Sequence, residues 1–231
     1  MAPTTTSSIH GHIRQLNNSA VQALAEGQLL TATAHLDQAL QDFHRILGLE
    51  EGLVPLTSTS EESKTPLSDI QAVPIHPKLC VNDHICSPEN VFPICNAAFW
   101  MPANLNREEV AVVLLYNAGL AALRKGIMHG KDSLLRKSFQ FQSMVLAVLQ
   151  DEAFEKTHGY FHLLRLALWT NQGFLHAYWC DYDAVLQCKE QVKYWMHHYP
   201  STMPVMHLSF FQQTVFLIDF FGVPQKVSPA A

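Results

Sequence analysis

Leu115-Tyr116-Asn117-Ala118-Gly119-Leu120-Ala121 is the stretch that decides the fold. It sits inside Glu108–Lys125, where Val110, Val113, Leu114, Asn117 and Ala121 recur at helical spacing. Its small core, an asparagine followed two residues later by a glycine or alanine, occurs again. Asn18-x-Ala20 stands earlier in the chain and Asn171-x-Gly173 later. Each small residue lies seven positions before a turn signal: Gly27, Gly126 and Cys180. A second helical segment follows every turn. Helix, turn and helix, three times over, predicts an α-solenoid.

Working outward, the chain divides into a first hairpin at 9–47, an insertion at 48–107, hairpins at 108–150 and 152–198, and a helix at 205–221. Gly27 breaks the first hairpin and Gly48 ends it. Gly126 and Gly130 break the second, and Asp181 and Asp183 mark the turn or cap of the third. The expected fold is all-α: an irregular α-solenoid of about three hairpins plus a C-terminal capping helix. Residues 9–222 form one domain, because every hairpin must bury its apolar face on the next. Residues 1–8 read as a disordered tail and 223–231 as a frayed one. The insertion holds Pro55, Pro66, Pro74, Pro77, Pro88, Pro93 and Pro102, more than half of the chain's 12 prolines, so no long helix fits there. Leu56–Ser68 reads as a solvated loop. Val91–Met101 is too apolar to float free and reads as an extended segment or short strand docked on the helices.

The recurring small residue has a physical use. A mid-helix glycine costs about 1 kcal/mol relative to alanine, but it lets a partner helix approach closely. Ala32, Leu36 and Ala39 on the first return helix supply a ridge for such a slot.

At this point the chain resembles the tetratricopeptide repeats (TPR), whose pattern is W-x2-L-G-x2-Y and then A-x3-F. The first hairpin reads Leu16-x2-Ser19-Ala20-x2-Ala23, then Ala32-x3-Leu36. The second reads Leu115-x2-Ala118-Gly119-x2-Ala122, with its return helix about seven residues late. The third reads Trp169-x2-Gln172-Gly173-x2-His176, with Val185 and Lys189 in a degenerate return helix. The layout is also similar to a group of uncharacterised TPR-like proteins with a long insertion after the first hairpin. The resemblance implies a right-handed superhelix whose first helices line a concave groove for extended peptides. Asn18, Asn117 and Asn171 are then candidate partner-binding residues, since an amide offers a peptide backbone both donor and acceptor. The other reading has each amide bonding a neighbouring helix or loop carbonyl to fix hairpin stacking. The family's carboxylate-clamping set of Lys, Asn and Arg has no matching first-helix lysine here.

Composition bounds the function. Of 231 residues, 48% are hydrophobic and 15% charged, which excludes a mostly disordered chain. A net charge of −5 argues against nucleic-acid binding through basic patches. No run of about 18 apolar residues is found, so no membrane span is expected. Residues 1–8 carry no secretory signature, and the 5 cysteines do not suggest a disulfide framework. A cytoplasmic location is therefore expected.

Candidate chemistry is sparse. Cys80-x5-Cys86-x8-Cys95 with His76 and His84 offers metal-ligand types but lacks the closely spaced cysteine knuckle, so buried packing cysteines compete with a zinc site. His158 and His162 lie one helical turn apart without the glutamate of a zinc-protease helix. No nucleophile elbow, phosphate loop or dinucleotide fingerprint is present. The last helix carries Phe210, Phe211, Phe216, Phe220 and Phe221. It reads as a capping helix buried on two sides, or as an adhesive face on which Phe211 and Phe220 bind a partner or a second copy. The expectation is a non-catalytic protein–protein interaction module without cofactor, binding a protein or peptide partner. The alternatives are a metal-dependent or enzymatic protein using Cys80–Cys95, and a self-associating subunit.

Overall fold

The computed structural model describes residues 5–50, 70–80, 92–150, 161–198 and 205–221. Among these, seven α-helices dominate: α1 (Thr5–Ala25), α2 (Leu29–Glu50), α3 (Arg107–His129), α4 (Asp132–Leu149), α5 (His162–Tyr178), α6 (Tyr182–His198) and α7 (Val205–Phe221). Two three-residue strands, β1 (Ala72–Pro74) and β2 (Ala97–Phe99), and a 3-10 turn at Pro77–Cys80 lie between α2 and α3. The helices pack as pairs, α1 on α2, α3 on α4 and α5 on α6. The first pair meets the second through α2 and α3, the second meets the third through α4 and α5, and α7 packs on α6.

The three first helices end in the same way. Gly27, Gly130 and Cys180 adopt left-handed backbone conformations with φ of 79°, 61° and 58°. The following N–H reaches back five residues in each case: Gln28 to the Ala23 carbonyl (2.8 Å), Lys131 to Gly126 (2.9 Å) and Asp181 to His176 (2.9 Å). This is the six-to-one bond of a Schellman cap, which satisfies carbonyls the helix end would orphan. The seven-residue spacing thus locates the turn in the first and third pairs. In the second, α3 runs through Gly126 for one more turn and stops at Gly130. Gly126 serves packing instead: a Cβ there would fall 2.6 Å from Leu135 Cδ2 on α4. Likewise α2 continues through Gly48 to Glu50, since an exposed glycine weakens a helix by only about 1 kcal/mol and need not end it.

The start of α3 is specified locally. The Asn106 side chain accepts from the Glu109 N–H (2.9 Å), and the Glu109 carboxylate accepts from the Asn106 N–H (2.6 Å), a complete capping box. By length and composition α3 would suffice to cross a bilayer, with a window of mean hydropathy 1.4, yet 78% of that window is buried inside the protein. Counting uninterrupted apolar residues missed this helix because Asn117 and Arg124 interrupt the run; both are buried.

The second and third turns are tied together. Asp132 accepts from the Trp179 indole N–H (2.8 Å) and from Arg136 Nε (2.7 Å), and the Arg136 guanidinium lies 5.4 Å from the Trp179 ring centroid. The Trp179 bond first, then Arg136, lowers the Asp132 pKa below the usual carboxylate value. Phe139 adds edge-on contacts to Trp179 and His176.

Cys180 is the non-glycine residue among the described ones held at positive φ. A side chain there costs about 1 kcal/mol. Cys180→Gly should therefore stabilise the protein by roughly 0.5–1 kcal/mol, read as a higher urea midpoint at unchanged slope. An unchanged or lower midpoint would contradict the cap assignment.

Candidate functional site

The segment Phe92–Met101 is extended and lies against the first helices of all three pairs. Phe92, Ile94, Cys95, Ala97, Ala98, Phe99 and Met101 are buried. An extended backbone buried among helices is a problem for hydrogen bonding, because helices have no free edge to pair with it. One edge of the segment is met by β1, antiparallel, with Ala72 opposite Phe99, Val73 opposite Ala98 and Pro74 opposite Ala97. The pairing extends outward through Ile75 N–H to the Asn96 carbonyl (3.0 Å) and Trp100 N–H to the Gln71 carbonyl (2.8 Å).

Side chains meet the other edge. The Cys95 N–H donates to Asn171 Oδ1 (2.7 Å) on α5. The Ala97 carbonyl accepts from the Tyr116 hydroxyl (3.0 Å) on α3. Phe99 is held at both polar groups by Asn117: its N–H donates to Oδ1 (2.8 Å) and its carbonyl accepts from Nδ2 (2.8 Å). Met101 is held in the same way by Asn18 on α1, N–H to Oδ1 (2.8 Å) and carbonyl from Nδ2 (2.9 Å). Residues 95, 97, 99 and 101 alternate with 96, 98 and 100, as a strand with period two requires. Three asparagines and a tyrosine thus replace the missing neighbour strand.

Asn18, Asn117 and Asn171, singled out from the sequence, are therefore brought to one row, and that row holds the chain's own backbone. Sequence reasoning missed Asn17, which donates to the Phe99 carbonyl (3.3 Å) and accepts from Asn117 Nδ2 (2.9 Å). The doubled Asn17-Asn18 was the available signal. It also missed Tyr116, although that residue precedes Asn117 in the deciding stretch.

The small residues at equivalent positions serve different neighbours. Gly119 admits α4: a Cβ there would lie 3.3 Å from Gln142 Cγ, and the Ser138 hydroxyl donates to the Gly119 carbonyl (2.7 Å). Gly173 admits the segment: a Cβ there would lie 2.5 Å from the Phe92 ring. Phe99 packs edge-on against Tyr116 at 4.9 Å.

The side chains of the row are uncharged and mostly buried, with the buried Arg124 guanidinium acting on both Cys95 and Tyr116. Burial pushes the Cys95 thiol up to about 12 from its ordinary 9.0 and raises the Tyr116 hydroxyl well above its own value, with Cys95 adding to the latter. Neither is a nucleophile at neutral pH. Among the described residues no three His, Cys, Asp or Glu side chains come together to hold a metal. Cys86, His84 and His158 lie outside the described residues, as does the Cys80 side chain. His162, buried against Trp195 at 5.5 Å, has its pKa lowered to about 4 by burial and then by Arg165. Phe211 is fully buried, packed edge-on to Phe210 at 5.0 Å, so its ring offers no outer surface; among the described side chains of α7, Phe216 is the exposed phenylalanine. The Phe220 side chain lies outside those described.

Beside the row, the surface opens. A cleft of about 690 Å³ runs along α1 and the start of α2, with Asn18 and Trp100 in its wall. No family model, curated protein or solved structure matches the chain.

Two outcomes check the row. Asn117→Ala leaves the Phe99 N–H and Asn17 Oδ1 without their buried partner, each worth about 1–3 kcal/mol, and leaves the Phe99 carbonyl with Asn17 alone. It should destabilise more than Asn18→Ala, whose site is only half-buried, and should speed hydrogen exchange at the Phe99 amide. Equal effects would contradict the geometry. Second, the unfolded Cys95 thiol ionises near 9 while the folded one resists until about 12. Folding stability is therefore complete below pH 9 and falls as pH rises towards 12. Iodoacetamide at pH 8.5 should modify the exposed Cys180 and spare Cys95 in the native protein, read peptide by peptide in a mass spectrometer.

Proposed function

We propose that this chain is a non-catalytic protein–protein interaction module, an irregular α-solenoid of three TPR-like hairpins closed by a capping helix. The consecutive packing of the helix pairs and the repeated Schellman ends support the solenoid. The observation that carries the interaction reading is the row of amides. The first helix of each hairpin holds an extended backbone through contacts that ignore side-chain identity. A surface made in this way suits peptide recognition, where backbone bonds supply affinity and pockets supply selectivity.

Magnitude decides where a partner goes. Burying Phe92, Ile94, Phe99 and Met101 is worth about 1.5–3 kcal/mol each. An incoming peptide would have to replace all of this before gaining anything, so the internal segment stays in place. The partner segment uses the part of the concave face left open beside it, the cleft flanked by Asn18 and Trp100.

Site-specific photo-cross-linking tests this. With a benzophenone amino acid at exposed Ser19, inside the cleft, the intact chain should capture a discrete polypeptide in native extract. The same probe at exposed Gln140 on α4 should not. No adduct at Ser19, or equal adducts at both positions, would refute the reading.

A further inference from the structure

The cleft beside α1 has a chemistry of its own, and the role inferred for it rests on the interaction-module reading. Its length is set by α1: Arg14 and Glu26 both line it, twelve residues apart, about 18 Å along a helix. An extended peptide of five or six residues spans that distance. The two ends differ. Glu26 is satisfied internally, accepting from Gln22 Nε2 (2.6 Å) and Gln28 Nε2 (3.0 Å). Arg14 has no carboxylate or hydrogen-bond acceptor among the described residues. The lining thus carries a guanidinium at one end and, at the other, a carboxylate that is hydrogen-bonded to neutral amides and keeps its charge.

Trp100 supplies the second feature. It is 38% exposed although Ala97, Ala98, Phe99 and Met101 around it are buried. Its backbone is clamped: its own N–H is bonded to the Gln71 carbonyl, and its neighbours Phe99 and Met101 are held by Asn117 and Asn18. An indole presented on a fixed strand loses little freedom on contact, and preorganisation of this sort favours binding. Rigid tryptophan together with unpaired arginine is the composition in which binding energy concentrates at protein interfaces. The cleft is also continuous with the internal strand, since Asn18 belongs to both.

We propose that this cleft takes an extended segment of a partner protein, with a large apolar side chain against Trp100 and an aspartate or glutamate on Arg14. The asymmetry of charge sets the direction of the peptide along α1. The probes are two peptides blocked at both ends, Ac-Asp-Ala-Phe-Ala-Gly-NH2 and its Lys counterpart Ac-Lys-Ala-Phe-Ala-Gly-NH2, followed through the indole N–H resonance of Trp100, which Trp100→Phe identifies. The acidic peptide should shift that resonance and bind at least tenfold more tightly than the basic one. Arg14→Glu should reverse the preference and Arg14→Gln should remove the acidic peptide's advantage, both with unchanged circular dichroism. Equal binding of the two peptides, an unmoved Trp100 at millimolar peptide, or the same shift from sodium acetate alone would overturn the proposal. Cross-linking at Ser19 with no peptide preference would overturn the acidic segment while sparing the interaction module.

Discussion

A strand buried among helices must still satisfy both of its edges, and the rest of this structure depends on how that is done. β1 serves one edge of Cys95–Met101. Asn171, Tyr116, Asn117 and Asn18 serve the other. Each lies on the first helix of its pair, so the strand crosses all three pairs and ties them to one another. An unpaired buried amide costs more than a satisfied one returns. The row is consequently a constraint on how the pairs sit, in addition to a source of stability.

Close packing follows from the same arrangement. Gly173 is the point where the Phe92 ring presses on α5, and Gly119 is where α4 presses on α3. Two residues in equivalent places along their helices have different neighbours because the segment passes one and not the other. At Gly126 the helix continues, and the space its missing side chain leaves is filled by Leu135. Gly119, Gly126 and Gly173 thus mark close approach, each by a different neighbour.

The internal strand also shapes which surface remains open. Its amides are engaged, its apolar side chains are in the core, and its one outward aromatic is Trp100. Beside α1, where the strand ends, a cleft stays open with Asn18 and Trp100 in its wall. The surface chemistry there, cationic at Arg14, anionic at Glu26 and aromatic at Trp100, comes from residues in separate elements.

Much of this was legible in the residues alone. Helical periodicity with the small residues at Ala20, Gly119 and Gly173 determines the paired helices, and seven-residue spacing locates the left-handed turns at Gly27 and Cys180. Both are local: they depend on side-chain period and on which residues tolerate positive φ. The apolar density of Val91–Met101 marked a docked extended segment, and the three asparagines were identifiable as a set. Their ligand was not. Nothing in the spacing of Asn18, Asn117 and Asn171 shows that Met101, Phe99 and Cys95 complete them, because those bonds join residues up to 83 positions apart. The seven-residue spacing put the second turn at Gly126, but α3 runs on to Gly130 and Gly126 instead makes room for Leu135. The sequence by itself determined the helices, their pairing and the amides offered. Only the tertiary structure decided what the amides hold, since a hydrogen bond is satisfied by whatever backbone the fold brings within reach.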